Sequence, residues 1–150
     1  MTDLSALYQE MILDHYKRPR NFKRLEPATH HAEGMNPLCG DQLELFVRLD
    51  DGDRIAEIGF QGSGCAISQA SASIMTETVK GRSRAEAVAA FEVFHRLVTG
   101  RSEVDLEDLG KLAVFSTVSR FPVRIKCASL AWHTLRAALE GSGEARVTTE

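Results

Sequence analysis

The stretch "DQLELFVRLDDGDRIAEIGFQG" (Asp41–Gly62) decides the fold. Leu43, Leu45, Val47 and Leu49 alternate with Gln42, Glu44, Phe46 and Arg48, the period of a half-buried strand. "DDGD" then turns the chain, and Ile55–Phe60 makes a second extended run with Ile58 and Phe60 on one face. Gly52 is available for the turn position that needs a positive φ, so the two runs read as a β-hairpin. A hairpin alone is marginal in water; helices or a further strand must cover its apolar face.

Those covers are found on both sides. Upstream, "LSALYQEMILDHYKRPRN" places Leu4, Leu7, Tyr8, Met11, Ile12, His15 and Tyr16 at helical spacing, and Pro19 ends the run. Residues 24–38 show no sustained period and read as loop with a short extended piece. Downstream, Gly62 and Gly64 lead into a helix from Ala66 to Lys80, rich in Ala and Ser and closed by Gly81. Its small residues permit close approach to the sheet. Ser83 and Glu86 form a capping box that opens a helix through Phe91, Phe94 and Leu97 to Gly100. A polar link, "GRSEVDLEDLG", follows, then a short or mixed segment, "KLAVFSTVSRFP", that Pro122 interrupts. The last helix reads as "KCASLAWHTLRAALE", and the tail over 141–150 is expected to fray. The order of elements predicts one α+β domain over 1–150: a small antiparallel sheet packed against several helices.

Composition narrows the function. With 150 residues, 43% hydrophobic, 26% charged and a net charge of −3, the chain has enough apolar content for a core and too little positive charge for a nucleic-acid surface. The basic run "HYKRPRNFKR" (His15–Arg24) reads as a solvated or protein-docking patch. The N-terminus lacks a secretory pattern and no segment has the roughly 20 apolar residues of a membrane span. A cytoplasmic protein is expected, without nucleic-acid or membrane contact.

The three cysteines, Cys39, Cys65 and Cys127, are too few and too scattered for a disulfide framework. Cys39 sits in the turn-like "NPLCGD" (Asn36–Asp41); Cys65 follows "GSG" at a helix start; Cys127 opens the last helix in this reading. Such positions expose backbone N–H groups that favour a thiolate. With Asp41 they supply three sulfurs and one oxygen, enough for a tetrahedral site. The spacing alone leaves three readings open: a metal or cluster site, a carrier cysteine without metal, or inert buried thiols.

"NPLCGD", "GSGCAISQASASIM" and "RIKCASLAW" resemble the three cysteine motifs of the iron–sulfur cluster assembly family, the IscU/NifU N-terminal domain family, and within it the SufU branch. The similarity runs from "LYQEMILDHYKRPRNF" to the last helix. The resemblance implies a SufE/NifU-like fold with a three-stranded antiparallel sheet, the third strand near His31–Met35. It implies that Cys39, Asp41, Cys65 and Cys127 hold zinc or a transient iron–sulfur cluster. Scaffold-type members usually carry a histidine where this chain has Lys126, and the segment around Arg84–Val104 resembles an insertion of the SufU branch. Together these imply a zinc-dependent sulfurtransferase that accepts persulfide sulfur from a PLP-dependent, SufS-like cysteine desulfurase, with downstream cluster-assembly proteins as further partners; the alternative is a cluster scaffold. Cys39, on a loop flanked by Pro and Gly, is the candidate sulfur carrier. Arg124 is the candidate for stabilising a thiolate or persulfide, with Lys126 beside it. His133 is read as a surface or satisfied core histidine, Met35 and Met75 as packing residues, and Tyr8 and Tyr16 as core or interface residues.

Overall fold

The computed structural model describes residues 4–100, 110–116, 118–140 and 144–148. In chain order these form α1 (Leu4–Lys17), β1 (His30–Asn36), β2 (Asp41–Leu49), β3 (Ile55–Ser63), α2 (Ala66–Val79), α3 (Arg84–Val98), two short 3-10 turns (Gly110–Phe115 and Val118–Arg120), α4 (Pro122–Glu140) and β4 (Glu144–Thr148). The sheet order is β3-β2-β1-β4; β1, β2 and β3 are antiparallel neighbours and β4 runs parallel to β1.

The hairpin forms where the alternation places it, with Leu45 opposite Phe60 and Val47 opposite Ile58. Its turn works differently from the expectation. Asp53, with φ 61°, takes the left-handed position instead of Gly52, while the Asp50 carboxylate accepts from the N–H groups of Gly52 and Arg54 at 2.9 and 3.0 Å. Aspartate tolerates that region, and a side chain that replaces the missing backbone partners stabilises it. Phe46, counted on the polar face, is buried there because the chain before β1 and β1 itself cover it: Arg24 lies 5.0 Å above its ring and His31, its partner on β1, sits 5.1 Å away.

The other face of the sheet carries the core. Ala32, Leu43, Leu45, Val47, Ile58 and Phe60 join Ile74, Met75, Leu130, Trp132 and Leu135 in one buried cluster. α2 lies between α1 and α4, and its small side chains allow the close contact that the composition suggested. Ser71 Oγ donates to the Ala128 carbonyl at 2.6 Å, and Ser73 Oγ meets buried His15 Nδ1 at 2.7 Å. α3 opens with the predicted Ser83–Glu86 capping box and stacks Phe94 on Trp132 at 4.6 Å, closing the core from the helical side. None of the helices among the described residues is long and apolar enough to cross a membrane.

Four expectations are corrected. The sheet has four strands, because residues 144–148, expected to belong to a frayed tail, pair with His31–Met35. With Val147 the one large aliphatic side chain in "EARVT", this strand has almost no pattern to read. α4 begins at Pro122 instead of being preceded by it; a first-turn proline forfeits no helical hydrogen bond, and Cys127 therefore lies in the second turn. Leu7 is exposed, since α1 faces α2 with a narrower stripe centred on Met11, Ile12 and His15; Tyr16, read as core or interface, is exposed too and so lies outside the core. Met75 packs in the core as expected, but Met35 is exposed on the outer sheet face. Of the expected insertion around Arg84–Val104, residues 101–104 lie outside the described residues.

Candidate metal centre

At one end of the sheet three segments converge: the β1–β2 connection, the β3–α2 connection and the first turns of α4. The β1–β2 ladder ends on the pair Asn36 and Asp41. Between them the chain makes a tight loop in which the Cys39 N–H donates to the Asn36 carbonyl at 3.3 Å and Gly40 adopts φ 71°, a conformation natural to glycine. Leu38 is left 67% exposed at the tip, with Cys39 half-buried beside it.

Cys65 is the N-cap of α2. Its sulfur accepts from the Ser68 N–H at 3.4 Å, and its own N–H donates to Asp41 Oδ1 at 2.9 Å. Gly64 makes that approach possible, because a Cβ there would lie 2.5 Å from the same oxygen. Cys127 is carried in from α4 and is 3% exposed; its sulfur lies 3.2 Å from that of Cys39. Cys39, Asp41 and Cys127 present ligand atoms that all lie within 4.8 Å of one another and can hold a metal ion.

The electrostatics of this pocket are unbalanced. Asp41 is 0% exposed, and its carboxylate accepts hydrogen bonds from neutral groups, the Cys65 N–H at 2.9 Å and the Asn36 amide at 3.4 Å. Keeping a buried carboxylate ionised is costly. Burial, reinforced by the neighbouring Cys39 thiol and by Cys65, pushes the Cys127 thiol far above its ordinary range. A cation bound among these groups reverses both penalties, since it neutralises the carboxylate and selects the thiolate form. Three sulfurs and one oxygen suit the tetrahedral preference and borderline-soft character of zinc. Cys39, Asp41 and Cys127 thus fit the ion, while Cys65, the N-cap of α2 bonded to Asp41, lies outside that close group.

The remaining candidates fall outside the cluster. Arg124 lies on the exposed first turn of α4 with its guanidinium 4.6 Å above the ring of Phe121, not on the thiols. Lys126 is half-buried beside Cys127. His133 sits between α3 and α4, 5.2 Å from Phe91 and 6.2 Å from His95, and burial lowers its basicity. Tyr8 packs against the core. A second group of possible ligands, His31, Glu33 and Glu44, lies on the outer sheet face, but its carboxylates are already met by Arg146 and Arg24 at 3.4 and 3.7 Å. The sequence reading gave no role to Asn36. Its side-chain amide reaches Asp41 at 3.4 Å and Cys127 at 3.7 Å, the latter across 91 positions of sequence.

A mixed sheet whose end gathers three thiols and a buried carboxylate defines an α+β protein built around a metal-capable thiolate site. The chain belongs to the NifU-like N terminal domain family, whose pattern it matches over residues 7–128. It is 38% identical over 150 residues to the iron–sulfur cluster assembly scaffold protein IscU of Streptococcus pyogenes serotype M1, covering 100% of this chain and 93% of that one. It is 41% identical over 133 residues to the zinc-dependent sulfurtransferase SufU of Bacillus subtilis strain 168, covering 89% of each. Among solved structures, a SufU protein of the thermophile Fervidobacterium islandicum AW-1, described as a candidate cluster assembly scaffold for the SUF system, superimposes with a TM-score of 0.83 at 36% identity, over 92% of this chain and all of that one. The relatives' names thus divide between scaffold and sulfurtransferase.

Proposed function

We propose that this chain is a zinc-dependent sulfurtransferase of the SufU type, a single cytoplasmic domain that accepts persulfide sulfur from a PLP-dependent, SufS-like cysteine desulfurase for iron–sulfur cluster biogenesis. Cys39, Asp41, Cys65 and Cys127 hold the zinc. Bound zinc keeps the thiols deprotonated and ordered at neutral pH. The observation that carries the reading is the inequality of the donors: Asp41 and Cys127 are buried on regular elements and half-buried Cys65 is pinned as the N-cap of α2, whereas Cys39 sits half-buried on an exposed four-residue loop, Pro37–Gly40. One thiolate can leave while the rest of the site stays put.

In the transfer step the Cys39 thiolate attacks the terminal sulfur of the donor hydropersulfide. A new S–S bond forms to Cys39, the donor's S–S bond breaks, and its electron pair leaves with the donor cysteine as a thiolate; the proton stays on the transferred sulfur. Arg124, exposed in the turn of α4 that precedes Cys127, supplies positive charge that steers the partner or steadies the departing thiolate. The exposed apolar side chains of Leu38, Phe121 and Val123 give the partner a surface to cover.

A second reading, a scaffold on which a cluster is built as cargo and released to acceptor proteins, is supported by the relative named as a scaffold over the whole length of this chain. Metal analysis of freshly purified protein, combined with desulfurase turnover in its presence and absence, separates the two. The transfer reading expects retained zinc and strong stimulation that Cys39→Ala abolishes. Anaerobic reconstitution of a stable cluster, passed intact to an apo-acceptor without stimulation of the desulfurase, establishes the scaffold instead.

A further inference from the structure

Asn36 is wholly buried at the centre of the site, yet its Oδ1 has no hydrogen-bond partner among the described residues. An unpaired buried carbonyl destabilises the fold, and an aliphatic side chain of similar volume would avoid it. What the amide does supply is its other end. Nδ2 donates to Asp41 Oδ2 at 3.4 Å and to Cys127 Sγ at 3.7 Å, while the backbone carbonyl of the same residue anchors the Cys39 N–H. One side chain is therefore poised over two of the four donors and at the root of the loop that carries a third.

The hydrogen bonds to the three sulfurs are unequal. Cys127 receives the Asn36 amide and Cys65 receives the Ser68 N–H. The Cys39 sulfur accepts from no N–H group among the described residues; its one hydrogen bond there is with the Cys127 thiol. An N–H bond to a thiolate draws electron density from sulfur, strengthens its hold in the ionised state and lowers its nucleophilicity. We infer that Asn36 is a positioning residue that quiets Cys127 and fixes Asp41, so that Cys39 is the electron-rich sulfur left to react. This deepens the zinc reading above and rests on it. It also gives Cys39 a chemical reason, beyond loop mobility, to be the carrier.

The test uses the full chain loaded with cobalt(II) in place of zinc, whose thiolate-to-metal charge-transfer bands report sulfur electron density directly. Asn36→Leu should move those bands to longer wavelength and weaken metal binding by about 10–100-fold in chelator competition. The same variant should shift limited iodoacetamide modification of the loaded protein, read by mass spectrometry, from Cys39 toward Cys127. Its metal-free melting temperature should be unchanged or higher, because the unpaired carbonyl is gone. A purely structural Asn36 gives the opposite pattern, a lower metal-free melting temperature with unmoved bands, and overturns the inference. Should Asn36→Leu not fold, Asn36→Ser, which is too short to reach both partners, must show the same band shift, and unmoved bands there are equally fatal. Wild-type protein without thiolate bands brings down the zinc reading itself, so the two failures are distinguishable.

Discussion

The two ends of the sheet solve the same problem in opposite ways. At the hairpin end, Asp50 closes its turn with two backbone N–H groups, Ser83 and Glu86 cap each other's backbone, and Arg84 grips Asp53 with Nε and Nη2 at 3.0–3.1 Å. Asp50, Asp53, Arg84 and Glu86 all meet protein partners there. At the cysteine end, Asp41 is buried and accepts from neutral groups, the Cys65 N–H and the Asn36 amide, and burial pushes the Cys127 thiol toward its neutral form. The first end is complete as folded. The second gathers Cys39, Asp41 and Cys127, which can hold a metal ion, and the contrast separates residues that stabilise the fold from residues proposed as ligands.

The comparison is sharpened most by adding the ion. Zinc at about a thousand times its Kd should raise unfolding free energy by roughly 4 kcal/mol through linkage. Asp41→Asn should lose most of that gain, yet leave the metal-free protein as stable as wild type or up to about 1 kcal/mol more so, because it replaces a buried carboxyl group by a neutral amide of the same shape. Calorimetry with and without zinc checks both halves. A metal-free Asp41→Asn protein that melts well below wild type would mean that the carboxylate is a structural cap and not a waiting ligand.

At the other end, Ser83→Ala should cost about 1 kcal/mol equally in the metal-free and zinc-loaded forms, since the cap is remote from the ion. Unequal losses in urea titrations would show that the ends are coupled.

A smaller effect comes from α1. Burial, and then the nearby Arg20, lowers the pKa of His15 below its ordinary 6.5. The unfolded chain therefore binds a proton that the native chain resists, so His15's contribution is complete above about pH 6.5 and is lost as pH falls. By pH 6 the loss should be under about 1 kcal/mol. The slope should flatten in His15→Asn, which keeps a donor toward Ser73; an unchanged slope rules out His15 as its source. Smallest of all, Arg124→Ala should move stability by less than about 0.5 kcal/mol, as befits an exposed side chain. It should slow sulfur acceptance roughly five-fold at low ionic strength, with the difference shrinking as salt is added. A rate that ignores both the substitution and the salt removes Arg124 from the reaction.

Sequence alone was most informative where the physics is local. Alternation exposed the β2–β3 hairpin, and Ser83 with Glu86 announced the start of α3, because both depend on neighbours a few residues apart. β1 was visible only through resemblance: "HHAEGMN" is polar and holds Gly34, which the helices require to be small because a Cβ there would collide with Thr134. β4 is edge pairing written in five residues with little apolar content. The site was legible as chemistry, in three thiols and an aspartate, but not as geometry. Asn36 escaped notice because its meaning depends on Cys127, which arrives from another element, while Arg124 drew attention by proximity in sequence and instead stacks on Phe121.

In the proposed function one sulfur at the cysteine end, Cys39, does the carrying while its neighbours hold the metal. The most direct measurement supplies zinc-loaded protein with a cysteine desulfurase and isotopically labelled cysteine, quenches by alkylation, and locates the added sulfur by peptide mass spectrometry. The label is expected on Cys39 and is lost in Cys39→Ala, with zinc still bound, more weakly, by the remaining donors. Label on Cys65 or Cys127, or full transfer by Cys39→Ala, would contradict it.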